Sequence, residues 1–196
     1  MWAGSRAATD ETEPIAVGAP WRDVLDRARG GDVEAFRQLF DRYHDRLYRY
    51  ALIRLGSPEE ASDAVQDVFL SIWRGLPSFT YHHEGSFPAW LFRIAGGRIT
   101  DRLRHRGRHP SVPLDSVPER SVEFEGHVLS RGSILKALGR LPARQREAVV
   151  LRFLIGLPVR EVAVSMGKSE RAVTSLQTRG LKALRRYIGR GDEDQP

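Results

Sequence analysis

The sequence predicts an all-α protein: two small helical domains joined by a flexible, proline-containing linker, the second domain carrying a helix-turn-helix. Three observations carry this expectation. Apolar residues recur at a 3.6-residue period from Trp21 onward, while alternating Val/Ile/Thr runs and Asn-Gly hairpins are almost absent. Composition shifts between about Arg108 and Gly126, where Pro110, Pro113 and Pro118 stand among Asp115, Glu119, Glu123 and Glu125 with too few apolar residues for a core. Finally, Leu151 to Arg186 spells two helices about a glycine, the second helix basic. The boundaries that follow are a disordered extension over 1–20, a first domain over 21–108, a linker over 109–126, a second domain over 127–190 and an acidic tail over 191–196.

The elements follow in order. A first helix from Trp21 to Arg29 stops at Gly30-Gly31, and a second starts at an Asp32 cap and carries Phe36, Leu39, Phe40, Tyr43, Leu47 and Tyr50 on one stripe. A third opens at Ser57-Pro58-Glu59-Glu60, a capping box with proline at the first helical position, and ends near Arg74-Gly75. Its buried side is Ala61, Ala64, Val65, Val68 and Ile72. A fourth covers Pro88 to Arg106, burying Trp90, Leu91, Ile94, Ile99 and Leu103. Beyond the linker, His127 to Leu141 form a helix, and Pro142 opens another through Arg152. The helix-turn-helix then completes a four-helix unit. In it, Val162, Ala163 and Met166 supply the buried side of one helix and Gly167 takes the turn. Ser169 caps the next, which buries Val173, Leu176, Gly180 and Leu184.

Charge points to a polyanion. Lys and Arg number 31 against 25 Asp and Glu, a formal net charge of +6, and the excess gathers in two segments, Arg93 to Arg108 and Arg140 to Arg190. The last helix leaves Arg171, Thr174, Ser175, Thr178, Arg179 and Lys182 facing outward with the capping Ser169 at its start, hydrogen-bonding and cationic groups suited to base edges and phosphates. The fourth helix presents Arg98, Arg102 and Arg106 as a cationic edge. Before it lies a loop with Tyr81, His82, His83 and Phe87, whose rings beside arginines suit stacking of unstacked bases, so single-stranded as well as duplex DNA is expected. On the third helix, Asp63, Gln66, Asp67, Leu70 and Arg74 share a second stripe. A solvated face would not centre on a leucine, so this stripe reads as a docking face for a basic partner helix.

Several classes are excluded or disfavoured. The chain has no cysteine, which removes disulfides, thiolate catalysis and cysteine-based zinc sites. No apolar run approaches membrane length and no signal-peptide pattern opens the chain, so a cytoplasmic protein without membrane insertion is expected. His82-His83-Glu84 has no further ligand at helical spacing, so no metal and no cofactor are expected. No nucleophile motif, P-loop or GxGxxG is present, so the chain is not expected to be an enzyme. A duplex-binding helix-turn-helix regulator and a DNA-processing enzyme stand as alternatives.

In their order and spacing, GDVEAFRQLFDRY, EEASDAVQDVFLSIWR, FPAWLFRIAGGRITDRLRHR and LGRLPARQREAVVLRFLIGLPVREVA resemble the extracytoplasmic-function (ECF) sigma factors of bacterial RNA polymerase over about Asp32 to Arg186. The resemblance implies that the helix bearing Asp63, Gln66, Asp67, Leu70, Trp73 and Arg74 docks on core RNA polymerase. It implies that the loop Thr80 to Pro88 and the helix after it open and read the minus-10 promoter element, and that the helix-turn-helix reads the minus-35 element. An anti-sigma factor is an expected partner. Two positions depart from the common pattern. Gly97 stands where many relatives carry asparagine near the base pocket, and Lys168 follows the turn glycine where an apolar residue is usual, so either the turn is less buried or the lysine stem lies over the core.

Overall fold

The computed structural model describes residues 19–106, 122–124, 127–129 and 131–189. The expected N-terminal extension, most of the linker and the acidic tail lie outside them. Among the described residues the chain forms eight α-helices: α1 Ala19–Arg29, α2 Val33–Leu55, α3 Pro58–Gly75, α4 Ser86–Arg106, α5 Arg131–Gly139, α6 Ala143–Val149, α7 Val159–Met166 and α8 Glu170–Gly189. A short hairpin pairs β1 Val122–Phe124 with β2 His127–Leu129, Val122 opposite Leu129. This corrects the expected helix from His127 onward. Val122-Glu123-Phe124 alternates like a strand, but three residues are too few to show a period in the sequence.

The helix starts follow from local chemistry. The Asp32 carboxylate accepts from the backbone N–H groups of Glu34 and Ala35, at 2.9 and 3.1 Å, and is held by Arg27 at 2.6 Å. Ser57 Oγ accepts from Glu60 N–H at 3.3 Å, with Pro58 at the first helical position. The α2 helix ends on Gly56 at φ 74°, a left-handed turn that costs glycine little, and its N–H returns to Leu52 O at 2.8 Å. After α6 the helix loosens into a π-turn over Val150–Leu154, where Ile155 N–H reaches back five residues to Val150 O.

In the first domain α2 lies against α1, α3 and α4, while in the second α5, α6 and α7 gather on α8. The apolar side of α3 expected from the sequence is fully covered. The end of α2 goes beyond its stripe: Tyr50 to Leu55 are buried all round, Arg54 among them. The two domains touch, with α4 packed along α7, and one continuous apolar cluster runs from Val24 to Leu184.

Candidate functional site

The docking stripe expected on α3 faces outward: Asp63, Gln66, Asp67 and Arg74 are exposed, and Leu70 is 53% exposed. Trp73, 36% exposed, stands edge-on to Phe36 of α2 at 4.8 Å, and Phe36 and Phe40 both meet Phe69. The stripe is therefore one side of an aromatic ridge shared by two helices. With Val33, also exposed at the start of α2, it makes an apolar face rimmed by carboxylates. The α2 contribution escaped the sequence reading because Phe36 falls on the same period as true core residues. The carboxylates also meet a cation: Arg102 of α4 pairs with Asp67 and lies 4.0 Å from Asp63. Arg102 was expected along the DNA strand, and it stands instead between the two faces.

The loop before α4 is tied to the helix start. Ser86 Oγ accepts from the backbone N–H groups of His82 and His83, and His83 Nδ1 accepts from Gly85 N–H at 3.1 Å. His82 is exposed, and Tyr81 is half-buried with the Arg22 guanidinium 5.4 Å above its ring. Phe87 corrects the expectation. It is 0% exposed and packed on Tyr43 and Phe79, so it supports the loop and offers no face to a base. Arg98 is exposed, as is Gly97. The side chain of Arg106 lies outside the described residues.

In the helix-turn-helix, Gly167 takes φ 60° and the N–H of Lys168 returns to Ala163 O at 2.9 Å. Ser169 Oγ accepts from Ala172 N–H, capping α8. Arg171, Thr174, Ser175, Thr178, Arg179 and Lys182 are all exposed. The Thr174 and Thr178 hydroxyls donate to carbonyls one turn back, and Arg179 Nε likewise donates to Ser175 O at 3.2 Å, which leaves its terminal guanidinium nitrogens directed outward with Arg171 and Lys182. The buried side is turned from the expected one: Val173, Gln177, Gly180 and Leu184 are buried, and Leu176 is half-exposed. The reason is Gly180, where an added Cβ would stand 2.7 Å from Val149, so that the helices close at the glycine and Gln177 rotates inward beside it. Leu176 and the half-buried Lys168 line a crevice of about 360 Å³ with Arg144, Ala172, Ser175 and Arg179. Arg144, first in the RQR run after Pro142, was not singled out from the sequence, although that run signalled it.

On α7, Glu161 and Ser165 are buried with Val162 and Ala163, while Met166 is only half-buried. The cause is α4. Ser165 Oγ lies 3.1 Å from Ala89 O of α4 and 2.8 Å from Glu161 O, and Glu161 stands against Gly85 and 3.9 Å from His83. Further along, Glu147 of α6 meets Arg54 at 3.0 Å and accepts from the Tyr50 hydroxyl at 3.1 Å. Arg54 also donates to Tyr50 and Thr100. Burial works against the Arg54 charge, but Tyr50 and Glu147 more than restore it, raising its pKa; burial pushes the Tyr50 phenol upward. Among the described residues no group of three His, Asp or Glu side chains is placed to hold a metal ion, and no helix is long and apolar enough to cross a membrane.

Residues 39–109 match the family model for Sigma-70 region 2 and residues 131–184 that for Sigma-70, region 4. The chain is 37% identical over 162 residues to the ECF RNA polymerase sigma factor SigM of Mycobacterium tuberculosis, covering 81% of this chain and 80% of that protein. It is 36% identical over 175 residues to BldN, an ECF RNA polymerase sigma factor of Streptomyces coelicolor, covering 85% of this chain and 65% of BldN. Two solved structures share the architecture at 26% identity. CnrH in complex with the cytosolic domain of CnrY has a TM-score of 0.67 over 89% of this chain and 98% of that one, and the sigma factor RpoE of Bartonella quintana, bound to the anti-sigma factor NepR, has 0.64 over 79% and 96%. The chain belongs to the ECF sigma factors of RNA polymerase.

Proposed function

We infer that this protein directs core RNA polymerase to a set of promoters and stabilises the opened minus-10 strand, in the cytoplasm and without a catalytic step of its own. The observation that carries this is an exposed apolar ridge, Leu70 with Trp73 and Phe36, in one chain with two separate cationic edges on α4 and α8. A regulator that binds duplex DNA unaided has no use for such a ridge. In this reading residues 21–108 dock on polymerase through Asp63, Gln66, Asp67, Leu70, Trp73 and Arg74. They hold the minus-10 strand with Tyr81, His82, His83 and Arg98, while Phe87 props the loop from beneath. Residues 127–190 read the minus-35 duplex with Arg171, Ser175, Arg179 and Lys182, and Arg144 and Lys168 sit beside them for phosphate. The relatives solved with CnrY and NepR make an anti-sigma factor the expected inhibitory partner. In vitro transcription with core polymerase on a genomic promoter set tests the reading: specific initiation only when the protein is added supports it, and tight promoter binding without any initiation overturns it.

A further inference from the structure

We propose that Leu176 is a specificity-determining residue of α8: the crevice it floors takes the C5-methyl group of one thymine of the minus-35 duplex, while Arg144 and Lys168 hold the phosphate backbone beside that base. This rests on the reading of α8 as the helix that meets the minus-35 duplex, and adds the kind of base it selects.

The crevice follows from the way α8 is seated. A Cβ on Gly180 would stand 2.7 Å from Val149 and 3.5 Å from Gln145 Cβ, so α6 and α8 close at that glycine. The closure turns Gln177 inward, to 6% exposure, and brings Leu176 half into solvent. Ala172, Ser175, Leu176 and Arg179 follow one another at i, i+3, i+4 and i+7, so they share one face of the helix. Arg144 of α6 and Lys168 of the turn complete the lining, and the six residues bound about 360 Å³.

The chemistry of that lining selects the occupant. Leu176 and Ala172 are its apolar part, and the rest is one hydroxyl and three cations with no carboxylate among them. Neither Arg144 nor Lys168 has an ion-pair partner among the described residues, and Arg179 engages only its Nε, on Ser175 O. An apolar floor inside a cationic rim suits an apolar group carried on a polyanion, close to its phosphates. In the major groove of duplex DNA that group is the thymine methyl, since the other bases present only donors and acceptors there. Leucine has neither donor nor acceptor, so a leucine at the centre of the crevice can discriminate between bases only through this methyl. A crevice that held phosphate alone would gain nothing from it.

The test changes the DNA before it changes the protein. Holoenzyme formed from core polymerase and the full-length chain selects duplexes from a library randomised across the minus-35 segment. Each thymine of the selected segment is then replaced by deoxyuridine, which pairs alike and lacks only the methyl. One position should lose about fourfold in affinity, which is what one buried methyl is worth. Leu176→Ala should bind thymine and deoxyuridine alike at that position, while Leu176→Met, apolar and of similar volume, should keep the preference. Because Leu176 is half-exposed, both variants should retain helical dichroism. Arg144→Ala and Lys168→Ala should leave the thymine preference in place, weaken all sequences together and flatten the salt slope by about 0.9 each. The absence of any thymine whose methyl matters, or a preference that survives Leu176→Ala, overturns the methyl seat, and an unchanged slope in either cation variant overturns the phosphate contact. A selection that returns no preferred minus-35 sequence would instead remove the reading of α8 on which the proposal rests.

Discussion

Two adjacent glycines of α4 show how much one position depends on its surroundings. A Cβ on Gly96 would meet Glu147 Oε1 at 3.2 Å and Tyr50 OH at 3.5 Å, whereas one on Gly97 would meet nothing within 4 Å. Glycine inside a helix costs about 0.5–1 kcal/mol relative to alanine. Gly97→Ala should therefore stabilise the protein by about that amount in urea unfolding, while Gly96→Ala should gain less or lose, because it presses on the ion pair between the domains. The proposed docking ridge gives a second prediction at this scale. Leu70 is the exposed apolar group at the centre of the α3 stripe, and Leu70→Asp should abolish co-purification with core polymerase while leaving helical dichroism intact. A change at Asp67 is the poorer probe, since it also removes the partner of Arg102. Retained association of Leu70→Asp would place the docking face elsewhere.

Helix starts were legible because each is written in a few neighbouring residues. Asp32, Ser57 and Ser169 all cap where their sequences place them. Asp32 also gives a pH prediction. Its carboxyl is held below the ordinary value by the Ala35 N–H first and the Arg27 guanidinium next, so its contribution is present above the unfolded value near pH 4 and is lost as pH falls through the lower folded value. Asparagine caps as well but does not titrate, so Asp32→Asn should flatten the fall of the unfolding midpoint below about pH 4. The loop before α4 carries a functional prediction: Tyr81→Ala with His82→Ala should still bind polymerase and upstream duplex yet fail to open a closed linear promoter. A template mismatched across the minus-10 region should restore much of its activity. Full permanganate reactivity of thymines with this variant on closed duplex would show that the loop is not the melting device. What the sequence hid at this scale was rotation and partnership. Val173, Leu176, Gly180 and Leu184 fit a helical stripe as well as Val173, Gln177, Gly180 and Leu184 do, and only the close approach at Gly180 decides between them. Arg54 and Glu147 stand on different domains, and no local pattern marks two such residues as partners.

Across the whole molecule the excess of positive charge is divided between two edges, Arg98 with its neighbours on α4 and Arg171, Arg179 and Lys182 on α8, each exposed. If they hold different parts of one promoter, their contributions must separate on templates that offer only one part. Each phosphate neutralised adds about 0.9 to the slope of log affinity against log salt on duplex and about 0.7 on a single strand. In the holoenzyme, Arg179→Ala should therefore flatten the slope by about 0.9 on a promoter carrying the minus-35 element if it holds a phosphate, and leave it unchanged on a template without that segment. A base contact would instead weaken binding by about 1–3 kcal/mol and relax discrimination at one position. Arg98→Ala should do the converse, flattening the slope by about 0.7 on a template already open across the minus-10 region and having no effect on an isolated upstream duplex. The measurement is holoenzyme affinity over a salt series on the two templates. Equal losses for both variants on both templates would mean that the two edges form one undivided basic surface, and the assignment of one promoter element to each domain would fall.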